Sequence, residues 1–262
     1  MDYLLMKMSE ASSCRRGRTA KRLDQLLLFP PRAKRGGKRR GAGRKPKGLR
    51  AGAKHKPRRE LSGREPVHVT LRVVSAVGNL RRREAYRAIR EATVTTARRE
   101  GFRIVQLSIQ RTHLHLLVEA DHKSALASGM QGFQISAAKH LNAAVGKEQG
   151  GRRRRGTVFP DRYFAVAITS PRQARNTLAY IMCNWRRHGE HVEPAYQSWL
   201  IDWFSSASTF PGWHEYGDNA FLWQRPEQYD PLVVYQPRTW LLREGWKRHG
   251  LISCHEVPST KA

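Results

Sequence analysis

The stretch FRIVQLSIQRTHLHLLVEA, residues 102–120, restricts the fold more than any other part of the chain. FRIVQLSI alternates as a half-buried strand does, and Gln110 and Arg111 lead almost at once into a second run. Two consecutive strands are therefore expected, joined by a connection too short for a helix. LHLLVE is too aliphatic for an edge strand, yet the run carries His113 and His115. Residues i and i+2 of a strand share a face, so the two imidazoles stand side by side and Leu114 points the other way. An isolated His-x-His is commonly two histidines satisfied at a strand edge by backbone or water. Inside an aliphatic strand, a buried imidazole pair costs free energy unless something accepts from it or coordinates it. The spacing suits one metal ion.

The flanking sequence supplies the rest of a domain. VHVTLRVV, from Val67, alternates and is β-branched, and the polar GNLRRRE after it supplies a turn with Asn79 as helix cap. In the helix that follows, Tyr86, Ile89, Thr93 and Ala97 keep a three-and-four spacing, and arginines including Arg81, Arg82 and Arg83 occupy the other faces. Gly101 ends it. Leu126, Met130, Phe133, Ala137, Leu141 and Ala144 mark a long amphipathic helix ending near Gly146, followed by a basic loop of Arg152, Arg153, Arg154 and Arg155. TVFPDRYFAVAI, residues 157–168, reads as a strand whose pairing begins after Pro160. Ser170, Pro171 and Gln173 then form a capping box at the start of one more helix. The order β-α-β-β-α-β-α predicts an α+β, ferredoxin-like split βαβ sheet with an added C-terminal helix.

Three regions follow: a basic, disordered DNA-binding arm at 1–60, the core at 64–190, and a Trp-rich extension at 191–262. The arm holds 20 Lys or Arg against 4 acids, a composition that does not fold alone. Within it GAGRKPKG, residues 41–48, resembles basic hooks that lie in the minor groove of A·T-rich DNA, but RKP stands where the hook has GRP, so the stretch reads first as part of a sequence-tolerant electrostatic arm, with Arg44, Lys45 and Lys47 among its phosphate contacts. The extension holds Trp199, Trp203, Trp213, Trp223, Trp240 and Trp246, with one helix expected from Pro237 to Arg248. A formal charge of +28 exceeds what solubility needs and points to a polyanionic partner, nucleic acid first. No apolar run approaches the roughly 18 residues of a membrane span, so no membrane partner is expected. Cys14, Cys183 and Cys254 show no Cys-x-x-Cys spacing and suggest neither a disulfide framework nor a cysteine zinc site. Bacterial cytoplasm, in association with the nucleoid, is the expected location.

The last core helix reads ARNTLAYIMCNWRRHG. Ala174, Leu178, Ile181 and Trp185 make its buried stripe, which leaves Asn176, Tyr180, Asn184 and Arg187 along a neighbouring polar one. A lone surface tyrosine is ordinarily structural. Beside a His-x-His strand a different constellation opens: two imidazoles and an amide oxygen hold a divalent cation, and a phenol stands next to it. At this point the residues resemble a known family. His113, Leu114 and His115 match the histidine-hydrophobic-histidine signature of HUH nucleases, and Tyr180 with Asn184 four residues on looks like the nucleophile helix of single-tyrosine transposases, especially REP-associated ones. The resemblance spans about 64–190, including HVTLR, FPDRYF and AYIMCN. Asn184-Trp185 stands where many relatives have Asn-Pro.

The resemblance implies metal-dependent cleavage and rejoining of single-stranded DNA near a foldback hairpin, through a covalent 5′-phosphotyrosine. Carried over by position, Tyr180 is the nucleophile, and His113, His115 and Asn184 are ligands of Mg or Mn. Arg162 and Arg187 provide positive charge near the reacting group, and the chain acts as a monomer or homodimer. Two other readings compete. A non-catalytic nucleic-acid-binding protein on the same framework would need no metal pair, and a zinc hydrolase would need Glu119 as general base.

Overall fold

The computed structural model of the chain describes residues 60–216, 226 and 229–259, so Arg44, Lys45, Lys47, the basic arm, Cys14 and Trp223 lie outside the described residues. The core runs β1 (Val67–Arg72), α1 (Arg83–Thr96), β2 (Phe102–Ile109), β3 (His113–Ala120), α2 (Lys123–Glu148), β4 (Phe164–Ala167) and α3 (Pro171–Arg187). The four strands form one sheet in the order β2-β3-β1-β4, every neighbouring pair antiparallel. This is the ferredoxin-like split βαβ arrangement, and β3 is an interior strand, as its aliphatic run requires.

Local chemistry explains the boundaries. The Ser170 hydroxyl accepts from the Gln173 backbone N–H at 3.2 Å, while the Gln173 side chain reaches back to the backbone N–H of Thr169 at 3.0 Å. The expected capping box thus closes one residue early. Asn79 accepts from the Arg81 backbone N–H at 2.9 Å, two residues ahead of α1. Gly101, with φ +66°, makes the turn into β2. In β2, Phe102, Ile104, Leu107 and Ile109 all join one core although simple alternation would turn the last two away. A register shift between Ile104 and Gln106 resolves this, because a bulge inserts the extra residue that restores the facing.

The sheet divides two apolar layers. Val67, Val69 and Leu71 of β1, with Leu114, Leu116 and Val118 of β3, face α1 and α2 through Ile89, Met130 and Phe133. The opposite face, with Val105 and Leu117, meets Leu178 and Ile181 of α3. That second layer is completed by the C-terminal extension, whose Trp203, Trp213 and Trp246 are buried with α3. Core and extension belong to one compact unit, Arg58–Ala262. The extension also covers the outer edge of β2: Ile109 donates to the carbonyl of Phe204 at 2.8 Å, and Tyr235 donates to that of Ile104 at 2.8 Å. An otherwise open row of strand donors and acceptors is thereby occupied.

Two departures from the sequence reading concern this extension. The helix expected from Pro237 to Arg248 is a single turn, α4 (Trp240–Arg243), and then a 3₁₀ turn over Gly245–His249. A Cβ at Gly245 would lie 2.7 Å from the Trp240 ring, so the turn is packed too tightly for a side chain there. Arg81, expected on the solvent face, is buried. Its guanidinium pairs with both carboxylate oxygens of Asp202 at 3.0 and 2.9 Å, meets Glu190, and stacks 4.6 Å above the Phe204 ring.

Glu119 forms the second buried anchor of the extension. It is 2% exposed and accepts from the backbone N–H of Thr239 at 2.8 Å, from that of Arg238 at 2.8 Å and from the Thr239 hydroxyl at 2.7 Å, with Arg103 at 3.2 Å. Removing one partner of such a group leaves the others buried and unpaired, which costs about 3–5 kcal/mol. Glu119→Ala is therefore expected to lower the urea midpoint by that amount of stability with an unchanged m-value. A loss below about 1 kcal/mol would show that this junction does not hold the extension.

Candidate functional site

The pairing of β1 with β3 builds the floor of the site. Thr70 lies opposite His115 and Arg72 opposite His113, while His68 lies opposite Leu117. All of these positions share the sheet face that meets α3. His113 Nε2 and His115 Nε2 come within 3.0 Å of each other. The other nitrogen of His115, Nδ1, lies 3.1 Å from His68 Nε2 and 3.3 Å from the Thr70 hydroxyl.

The wall is α3. The Tyr180 ring stands edge-on to His115, centroids 5.1 Å apart, and 5.9 Å from His68. Two turns further along, His188 caps the helix with its ring 6.1 Å from His113. Asn184 lies midway between them, four residues from each, and so on the same stripe. It is wholly buried, and neither side-chain amide atom has a hydrogen-bond partner. Leaving a buried amide unpaired costs on the order of 1–3 kcal/mol, so a group of this kind calls for a partner, an ordered water or a ligand. Arg187 sets its guanidinium carbon 5.6 Å from the Tyr180 ring centroid.

Electrostatics keep the imidazoles neutral. Burial lowers His115 to about 2, helped by its neighbours His68, His113 and His188. Burial likewise brings His68 to about 4 and His113 to about 4, the latter also disfavoured by the charges of His188 and Arg72. Neutral imidazole is the form that donates a lone pair to a metal.

A divalent ion fits this donor set. Two nitrogens on adjacent vertices of an octahedron with bonds of about 2.1 Å would be about 3.0 Å apart, the separation found between His113 and His115. The unpaired Asn184 amide, on the helix stripe that carries Tyr180, would supply a third donor, and nitrogen-oxygen sets of this kind take first-row divalent ions. A different trio, Glu215, Cys254 and His255, also brings possible ligand atoms within 4.8 Å of one another. There, however, the Glu215 carboxylate already accepts from the Ser253 hydroxyl at 2.5 Å and the Cys254 backbone N–H at 3.1 Å, and burial raises the Cys254 thiol to about 11. That trio reads as the anchor of a turn.

The structure therefore brings His113, His115, Tyr180, Asn184 and Arg187 to one place. The other expected phosphate contacts are dispersed. Arg152, Arg153, Arg154 and Arg155 follow α2, across the sheet from α3, and Arg154 is engaged by the Asn142 side chain at 2.7 Å. Arg162 is exposed just before β4, Arg83 is half-buried, and Arg82 pairs with Glu148. Arg81, held by Asp202 and Glu190, does not reach solvent. Glu119, the base a hydrolase would need, is consumed by Arg238, Thr239 and Arg103. His68, Arg72 and His188 were not singled out from the sequence. Extending the Tyr180–Asn184 stripe by one turn finds His188, but His68 is visible only once β1 is paired with β3.

The lowered histidines set a direction for stability. In an unfolded chain each imidazole titrates near 6.5; in the folded metal-free protein His68 and His113 do so near 4. Between those values the unfolded state binds more protons, so stability falls as pH drops from about 6.5 toward 4. Urea unfolding of the metal-free protein at a series of pH values should show this decline, and it should shrink in His113→Phe. A flat profile across that window would mean that the imidazoles are not buried as described.

The IS200-like transposase family matches residues 67–184. A solved structure of a REP-associated tyrosine transposase bound to a REP hairpin is similar to the chain, at 14% identity and a TM-score of 0.39, covering 71% of this chain and 100% of the other. None of the curated proteins matches. The matched segment begins at the first residue of β1 and ends at Asn184, enclosing the histidine pair and Tyr180. Residues 67–184 of this chain are thus what is similar to the IS200-like transposases.

Proposed function

We propose that the chain cuts and rejoins single-stranded DNA beside foldback hairpins, with Tyr180 as the nucleophile and a covalent 5′-phosphotyrosine as the intermediate. The observation that carries this reading is the Tyr180 ring held 5.1 Å from His115, with two imidazole nitrogens 3.0 Å apart beside it and an unpaired amide one helical turn away. His113, His115 and Asn184 would hold Mg or Mn. When bound, such an ion relieves the negative charge on the non-bridging phosphate oxygens.

The chain's own residues do the rest. The phenol oxygen of Tyr180 releases its proton to solvent and attacks the phosphorus in line. As the new P–O bond forms, the bond to the 3′ oxygen breaks, and that oxygen takes up a proton as a free 3′-hydroxyl. The 5′-phosphate stays on Tyr180. Because the phosphotyrosyl bond retains the linkage, a 3′-hydroxyl can attack it later and restore a phosphodiester, which water as nucleophile would not permit. Arg187 places its positive charge beside the ring, where it favours an anionic phosphate. Phe164 on edge strand β4 is 68% exposed and opposite Thr70 in the register, so it offers a ring for an unpaired base on the same face. Among the described tryptophans of the extension Trp203, Trp213 and Trp246 are buried and Trp199 partly so, while Trp240 is 48% exposed with the Arg248 guanidinium 4.8 Å over its ring, where the two together could meet a base and its phosphate. The arm at 1–60 adds sequence-tolerant phosphate contacts.

The test is incubation with labelled hairpin-flanked single strands and Mn, followed by a denaturing gel. Wild type should give a covalent band whose phosphate maps by mass spectrometry to the peptide containing AYIMCN. Tyr180→Phe should lose the band and strand joining while keeping hairpin affinity within a few-fold, and His113→Ala and His115→Ala should lose cleavage. A chain lacking 1–60 should show a shallower salt dependence of binding, by about 0.7 in slope for each lost contact. Phosphate on Tyr163, or an adduct formed by Tyr180→Phe at the wild-type rate, would overturn the assignment. Binding without any adduct would favour a non-catalytic binder on this fold.

A further inference from the structure

His68 is the one histidine on this sheet face that belongs to neither the His-x-His pair nor the nucleophile helix. It sits two residues before Thr70 on β1, diagonal to His115, with its Nε2 3.1 Å from Nδ1 of His115. A neutral imidazole has a single N–H, so one ring nitrogen donates and the other accepts. For His115 that choice determines whether it can serve as a ligand beside His113. Its Nε2 faces the Nε2 of His113 at 3.0 Å, and only an unprotonated Nε2 can share a metal with it. The proton must then reside on Nδ1 and needs an acceptor. Thr70, 3.3 Å away, offers a hydroxyl that can donate as readily as it accepts, and so does not by itself fix the tautomer.

We infer that His68 is a positioning residue: its Nε2 accepts a hydrogen bond from Nδ1–H of His115 and thereby keeps the Nε2 lone pair of His115 directed toward the position it shares with His113. This rests on the metal reading given above, but not on the covalent chemistry of Tyr180. The fold supplies the means. His68 is held from one side by the strand pairing and from the other by the Tyr180 ring at 5.9 Å, so its own orientation is fixed by the two elements that make the site. Partners of this kind set the ring orientation of a ligating histidine, and losing one typically weakens metal binding 10–100-fold.

Two measurements on the full chain test this. Imidazole ¹⁵N spectra of the metal-free protein should show His115 protonated at Nδ1 in wild type and in His68→Gln, whose amide oxygen still accepts. In His68→Leu, which offers no acceptor, the same ring should populate the Nε2–H form. Calorimetric titration with Mn should show affinity about 10–100-fold lower for His68→Leu, with His68→Gln recovering most of it. An Nε2-protonated His115 in wild type would overturn the inference without any variant, as would equal Mn affinity in wild type and His68→Leu. Three imidazole couplings in the electron spin-echo spectrum of Mn-bound wild type would overturn it too, by making His68 a ligand. If the tautomer pattern holds while no covalent adduct forms with DNA, it is the strand-transfer reading that fails.

Discussion

Everything at the site depends on one register, that of β1 against β3, which sets Thr70 opposite His115 and Arg72 opposite His113. Side chains alternate along a strand, so a slip of one residue would turn all the histidines into the layer beneath α1 and α2 and bring Leu114 and Leu116 to the functional face. The slip is opposed by burial on both sides. Leu114, Leu116 and Val118 are fixed in one core and Leu117 in the other, and none is measurably exposed. At roughly 1.5–3 kcal/mol for each large aliphatic side chain buried, the apolar residues of β3 hold the imidazoles in place far more strongly than the imidazoles cost.

The extension converts a surface into an interior. On a bare ferredoxin-like sheet α3 would expose the side opposite its apolar stripe. Here Trp203, Trp213 and Trp246 pack against it, so that Met182 and Cys183 are buried along with Ile181. Arg81 with Asp202, and Glu119 with Arg238 and Thr239, fasten the extension at two separated points of the core. Under this cover Asn184 loses contact with water, and the imidazoles are held neutral by burial. A donor set kept dry and uncharged is suited to binding a cation, because no proton must leave first.

The parts of this arrangement that rest on local periodicity were legible in the sequence: the order of strands and helices, the Ser170 cap, the interior position of β3, and Tyr180 and Asn184 on one stripe. What escaped depends on partners far along the chain. Arg81 reads as one arginine among many on a basic helix face, because Asp202, the carboxylate that buries it, lies 121 residues away. Asn184 reads as a member of a polar stripe, and its complete burial is not legible because the residues that cover α3 come after it. His68 sits in a plain strand motif, and its proximity to His115 is a property of pairing across 47 residues. The bulge in β2 and the broken helix after Pro237 are settled by packing, against the core in one case and against the Trp240 ring in the other.

The proposed metal position takes His113 and His115 from β3 and Asn184 from α3, with β1 setting the register that aims the imidazoles. In anomalous diffraction from crystals soaked in Mn, a peak should lie within about 2.0–2.3 Å of His113 Nε2, His115 Nε2 and Asn184 Oδ1. A peak at Glu215, Cys254 and His255 instead, or Mn that leaves the Asn184 amide unengaged while binding elsewhere, would contradict that position.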